Sequence, residues 1–156
     1  MKNFITVTLF LAFMFLSGCS QGDIIESSYT IKSGSSFGMC TGPCYQEMSL
    51  NESQAVLRVR ESKGEGGLSE LKVESKRAVS PQEWSEIQSL VDQEALNALP
   101  KVIGCPDCAD GGAEWVEIRS PGFVKKVTFE YGQPPAQIKE LADRLRETRE
   151  SLSPQE

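Results

Sequence analysis

The sequence predicts a single α+β domain, an antiparallel β-sheet with two helices packed on one face, over residues 29–152 of a 156-residue chain. Three observations predict it. Short segments of the first half alternate apolar and polar residues. Residues 80–83 form a strong helix start. A strand pair flanks Ser120-Pro121-Gly122 and is followed by an amphipathic stretch. Strands, helix, hairpin and helix, in that order, fit an antiparallel sheet with its helices on one side.

Tyr29-Thr30-Ile31 alternates like a short first strand. Residues 45–50 and 54–61 read as the second and third, the latter with Ala55, Leu57 and Val59 on one face. Asn51-Glu52-Ser53 between them is turn-like. Residues 68–79 form a further extended segment with Leu71 and Val73 as its inward candidates. Ser80 can cap a helix, Pro81 suits its first position and Glu83 completes a capping box. Trp84, Ile87, Leu90 and Val91 then share a helical face, read as core, and Pro100 bounds this helical region. The hairpin pairs 113–119 with 123–131. Phe123, Val127, Phe129 and Tyr131 share a face that Lys125 interrupts. Pro134-Pro135 opens the last helix. Its apolar stripe is Ile138, Leu141, Ala142 and Leu145, and Lys139, Glu140, Arg144, Glu147 and Glu150 form a solvated side. Glycine-bearing stretches at 33–44, 63–67 and 104–112 punctuate the domain.

Composition excludes several kinds of chemistry. The chain has 16 basic and 22 acidic side chains and no histidine. Histidine-dependent triads, HExxH zinc sites and histidine general bases are therefore ruled out. The acidic balance argues against a nucleic-acid partner and against a polybasic membrane-surface domain. Lys63-Gly64-Glu65-Gly66-Gly67 lacks the Gly-Lys-Ser/Thr ending of a phosphate loop and carries an acid that repels phosphate.

The amino terminus is an address. After Lys2, residues 4–16 are an uncharged apolar run of 13 residues, too short to span a bilayer and suited to a secretory signal. The run ends in Leu16-Ser17-Gly18-Cys19, which resembles the bacterial lipobox. That resemblance implies cleavage of a signal peptide, residues 1–18, and lipidation of Cys19. It also implies membrane attachment through three acyl chains, where one chain alone would hold only marginally. Ser20 follows, where the Gram-negative inner-membrane retention signal is typically Asp. The expected site is the outer membrane, facing the periplasm. A polar tether, 19–28, is short enough to keep the domain near the bilayer.

Setting Cys19 aside, four of the five cysteines remain: Cys40 and Cys44 in CTGPC, Cys105 and Cys108 in CPDC. An even set in an oxidising compartment points to disulfides. Bridges between the two loops are expected, since closing a loop of about 65 residues restricts the unfolded chain by roughly 4 kcal/mol, against about 2 for a local ring. Both spacings also allow a four-cysteine zinc site. CPDC has the form of a thioredoxin-type redox pair, although Ala-Asp-Gly-Gly after Cys108 breaks the helix such a site needs. Asp107, Asp110 and Glu114 read mainly as a polar turn, with a calcium site or a carboxylate pair as the functional alternatives. No cofactor is expected.

The segments Ser36-Phe37-Gly38-Met39-Cys40 and Gly104-Cys105-Pro106-Asp107-Cys108-Ala109-Asp110-Gly111-Gly112-Ala113-Glu114-Trp115 resemble those of a family of small bacterial secreted or lipoprotein domains without an assigned activity. Related domains often carry a Cys-Phe-Gly-x-Cys segment, and Ser36 stands here in its first slot. The resemblance implies fold and localisation and transfers no catalytic residue.

The expected function is thus a lipid-anchored, non-enzymatic envelope lipoprotein, attached to the membrane by its N-terminal lipid and binding an envelope protein partner or serving a structural role. The alternative is thiol–disulfide or metal handling through Cys40, Cys44, Cys105 and Cys108.

Overall fold

The structure, a computed structural model, describes residues 29–64 and 67–153. The signal segment 1–18, Cys19, Ser20 and the rest of the tether lie outside the described residues. No helix among those described is long and apolar enough to cross a membrane.

The domain is α+β. Seven antiparallel strands are described: β1 (Thr30–Ser36), β2 (Pro43–Leu50), β3 (Gln54–Gly64), β4 (Gly67–Leu68), β5 (Lys72–Ala78), β6 (Ala113–Ser120) and β7 (Phe123–Glu130). β1 sits in the middle, between β2 and β6. β3 flanks β2, β7 flanks β6, and β4 and β5 pair with successive parts of β3. Beyond β7, Thr128 donates to the Lys101 carbonyl and Ile103 donates to that of Thr128, which covers part of the strand's edge.

Alternation sorts the sheet into two faces. On one lie Ile31, Met48, Leu50, Leu57, Val116, Ile118, Val127 and Phe129, all buried. They form one core with Ile87 of α1 (Pro81–Ser89), Leu96 of α2 (Gln93–Ala98), and Leu141, Ala142 and Leu145 of α3 (Lys139–Ser151). Burying such side chains is the main favourable term in folding.

The helix ends follow from local chemistry. The Ser80 hydroxyl accepts from the Glu83 amide at 3.1 Å. Arg77 of β5 grips the Glu83 carboxylate through both guanidinium nitrogens, at 2.8 and 2.6 Å, and holds its carboxyl below the ordinary range. Where one helical region is expected, the structure has two, so the described residues form three α-helices in place of the expected two. α1 stops at Ser89, and the Asp92 carboxylate accepts from the Ala95 amide at 2.9 Å to start α2. The aspartate competes for backbone donors and makes a cap of what would have been a helix interior. Lys125 explains its own position on the apolar face of β7. Its ammonium donates to the Asn97 and Leu99 carbonyls, at 3.1 and 2.6 Å, and so closes the C-terminal end of α2.

Two further expectations need correction. The first strand does not end at Ile31; it runs through Ser33-Gly34-Ser35 to Ser36. Ser33 and Ser35 are buried, because β1 is the central strand, flanked by β2 and β6, and their side chains lie on the core side. Leu71 and Val73 do not point inward; they are 37% and 56% exposed. Leu71 lies outside β5. A register shift opposite Leu57 and Arg58 pairs Val73 with Arg58 and turns it to the other face.

Candidate functional site

Two regions concentrate the chemistry of the chain: the end of the sheet carrying the cysteine loops, and the sheet face turned away from the core.

The cysteines form local bridges, Cys40–Cys44 and Cys105–Cys108, with Cα atoms 5.7 and 5.5 Å apart. This corrects the expected bridges between loops. Each pair lies within a turn that already brings its Cα atoms to bridging distance. The Phe37 amide donates to the Cys44 carbonyl, closing the β1–β2 loop. The Cys108 amide donates to the Cys105 carbonyl, with Asp107 in the left-handed region at φ 62°. The two loops do meet, but without a covalent link. Asp107 Oδ1 accepts from the Gly38 amide at 3.1 Å, and the Phe37 ring lies 5.0 Å from that of Tyr131. Gly112, at φ 79°, sits so close under Phe37 that a Cβ there would fall 2.3 Å from the ring.

The zinc alternative loses its ligands, because both bridges consume the sulfurs it would need. Among the described residues, no group of three or more Cys, Asp or Glu is arranged to hold a metal. The acidic trio is also dispersed. Glu114 points to the core side and is 1% exposed, whereas Asp107 caps Gly38 and Asp110 is exposed in the loop.

Cys105 and Cys108 are both exposed, so their bridge is open to solvent. Its surroundings are acidic. Glu130 Oε1 accepts from the Cys105 amide at 2.9 Å, and the adjoining groove of about 330 Å³ is lined by Gly111, Gly112, Glu130, Tyr131 and Gln133, with no basic side chain among the described residues that line it. A reactive thiolate needs a nearby cation or the start of a real helix, and the three residues 108–110 form only one 3-10 turn.

The other sheet face is organised around Trp115. Gly34 lies opposite it in the register, and the indole fills the space that a side chain would occupy. The Lys126 ammonium lies 4.0 Å above the ring. Beside it, the Tyr45 hydroxyl donates to Glu47 at 3.0 Å, Lys32 pairs with the same carboxylate at 3.2 Å, and Arg60 lies over the Tyr45 ring. Glu117 is bound by Arg119. Gly34 permits this close approach, but its stretch reads as a loop in the sequence, and it becomes a strand glycine only because β1 runs through to Ser36.

Burial, with Glu47 beside it, pushes the Tyr45 phenol up to about 12. Its proton is then held more tightly in the folded chain than in the unfolded one, where tyrosine titrates near 10. The resulting stability is fully present below about pH 10 and is lost as pH climbs toward 12. An ultraviolet titration should show a late phenolate phase that Tyr45→Phe removes. An unchanged titration curve in that variant would refute the assignment.

Neither sequence pattern nor motif pointed to Arg146 and Arg149. Both converge on Glu114, and the Gly132 amide donates to it as well. Arg149 is 1% exposed and also donates to Ser33 Oγ at 2.6 Å, which ties α3 to β1.

No protein-family model matches the chain, and no curated protein matches its sequence. Fold and site together define a class by their own features: a small α+β domain with two locally bridged loops at one sheet end and an aromatic, cation-bearing sheet face.

Proposed function

We propose that this chain is a periplasm-facing, lipid-anchored envelope lipoprotein whose domain is a non-enzymatic binding module. The signal segment and the lipobox-like Leu16-Ser17-Gly18-Cys19 support the anchor. The observation that carries the binding role is the charged sheet face around Trp115, on which Arg60, Lys76 and Lys126 are exposed. Radiolabelled palmitate should enter the wild type and not Cys19→Ala; label in that variant would sink the anchor. In a Gram-negative host the protein should fractionate with outer membranes, and Ser20→Asp should move it inward.

Thiol–disulfide exchange is the second reading, favoured by the exposure of Cys105 and Cys108. The acidic, cation-free groove weighs against it, since it opposes the thiolate such exchange requires. Reduction of a protein disulfide by a small dithiol should proceed no faster with the wild type than with the Cys105→Ser, Cys108→Ser double variant. Catalytic turnover that this variant lacks would replace the binding reading.

A further inference from the structure

We propose that the sheet face around Trp115 docks on an anionic lipid surface, namely the membrane to which Cys19 tethers the chain; the inference rests on the lipid-anchor reading. The whole chain is acidic, and its composition alone argues against such contact. The fold, however, segregates charge. The strand register places Lys32, Arg58, Arg60, Lys76, Arg119 and Lys126 on this one face. Three acids share it, and two of them are already neutralised in place, Glu47 by Lys32 and Glu117 by Arg119. The third, Glu130, lies at the margin beside Cys105. Arg60, Lys76 and Lys126 are exposed, and neither ring contact, Arg60 on Tyr45 or Lys126 on Trp115, neutralises the charge they present to a negative plane.

The same face presents apolar groups suited to an interface. Val73 and Val124 are 56% and 66% exposed, on the two outer strands. They would enter the headgroup layer at opposite margins, with the cations between them. An acidic protein partner could satisfy the charges. The anchor makes lipid the favoured occupant. Ten residues separate Cys19 from Thr30, a reach of at most about 35 Å when extended. Tethering at that length gives an effective concentration near millimolar, so a face too weak to bind lipid from solution still docks once anchored. Each basic side chain near an anionic leaflet adds to the attraction, and salt screens all of them together.

The test uses the mature lipidated protein in vesicles of phosphatidylcholine alone, or with about one third phosphatidylglycerol. Lysines are labelled briefly with a water-soluble amine reagent and read by mass spectrometry. On anionic vesicles, Lys76 and Lys126 should label about threefold or more slowly than on neutral ones, while Lys139 of α3 should not change. About 0.5 M salt should abolish the difference, where the screening length falls to about 4 Å. Arg60→Glu should reduce it, and the salt titration gives the same answer if that variant folds poorly. Equal labelling on the two vesicles, with intact acyl mass on Cys19, would overturn the docking alone. Missing acyl mass would overturn the anchor and the docking together. Protection by soluble polyglutamate but not by anionic vesicles would assign the face to an acidic protein and overturn the proposal.

Discussion

Glu114→Ala should lower the unfolding free energy by about 3–5 kcal/mol, read as a fall in the urea midpoint at unchanged slope. The carboxylate is 1% exposed and holds two cations at once. Arg146 reaches it through Nε and its terminal nitrogen, the latter at 2.6 Å, and Arg149 reaches it at 2.9 Å. Removing the anion leaves Arg149, itself 1% exposed, with Ser33 as its remaining partner. Among the described residues the Arg149 Nε already lacks a hydrogen-bond partner, so no reserve of hydrogen bonding there offsets the loss. Replacing both partners should cost less than replacing one. Glu114→Leu with Arg149→Met removes two buried charges of opposite sign, and it should recover much of the deficit of the single variants. A loss below about 0.5 kcal/mol for Glu114→Ala would show that the network is dispensable.

Gly34→Val should be the next most damaging change, at about 1–3 kcal/mol or more. A Cβ on Gly34 would lie 2.5 Å from the Gln46 carbonyl oxygen and 2.5 Å from Trp115 Cζ2. The carbonyl belongs to the neighbouring strand and cannot retreat without spoiling the ladder between β1 and β2. The indole can move only by giving up its cover, since it is 3% exposed. Trp115 emission should therefore shift to the red as stability falls. Wild-type emission together with wild-type stability would mean that the strands part more easily than their packing implies.

The legible parts of the fold were those written in nearest-neighbour chemistry. The Ser80–Pro81–Glu83 helix start, the hairpin turn at Pro121-Gly122 and the stripe from Ile138 to Leu145 each depend on residues a few positions apart. The rest depended on distant partners. Ser33 and Ser35 look like loop residues until β2 and β6 flank them and Arg149 arrives from α3. Arg149 looks like one more charge on a solvated helix until Glu114 meets it from 35 positions away. The face around Trp115 was equally hidden, because its cations come from five strands and only the register collects them. At the cysteines, loop-closure entropy favoured the long bridges, and turn geometry decided otherwise.

The bridges of the domain have a consequence for biosynthesis. Each joins neighbours in the order of the chain, Cys40 to Cys44 and Cys105 to Cys108. A domain emerging amino-terminus first into an oxidant exposes Cys40 and Cys44 long before Cys105 appears. With Cys19 acylated, the first free partner that each of these four thiols meets is its native one, and sequential oxidation makes both bonds correctly. Maturation of the domain then needs an oxidant but no isomerase to reshuffle its disulfides.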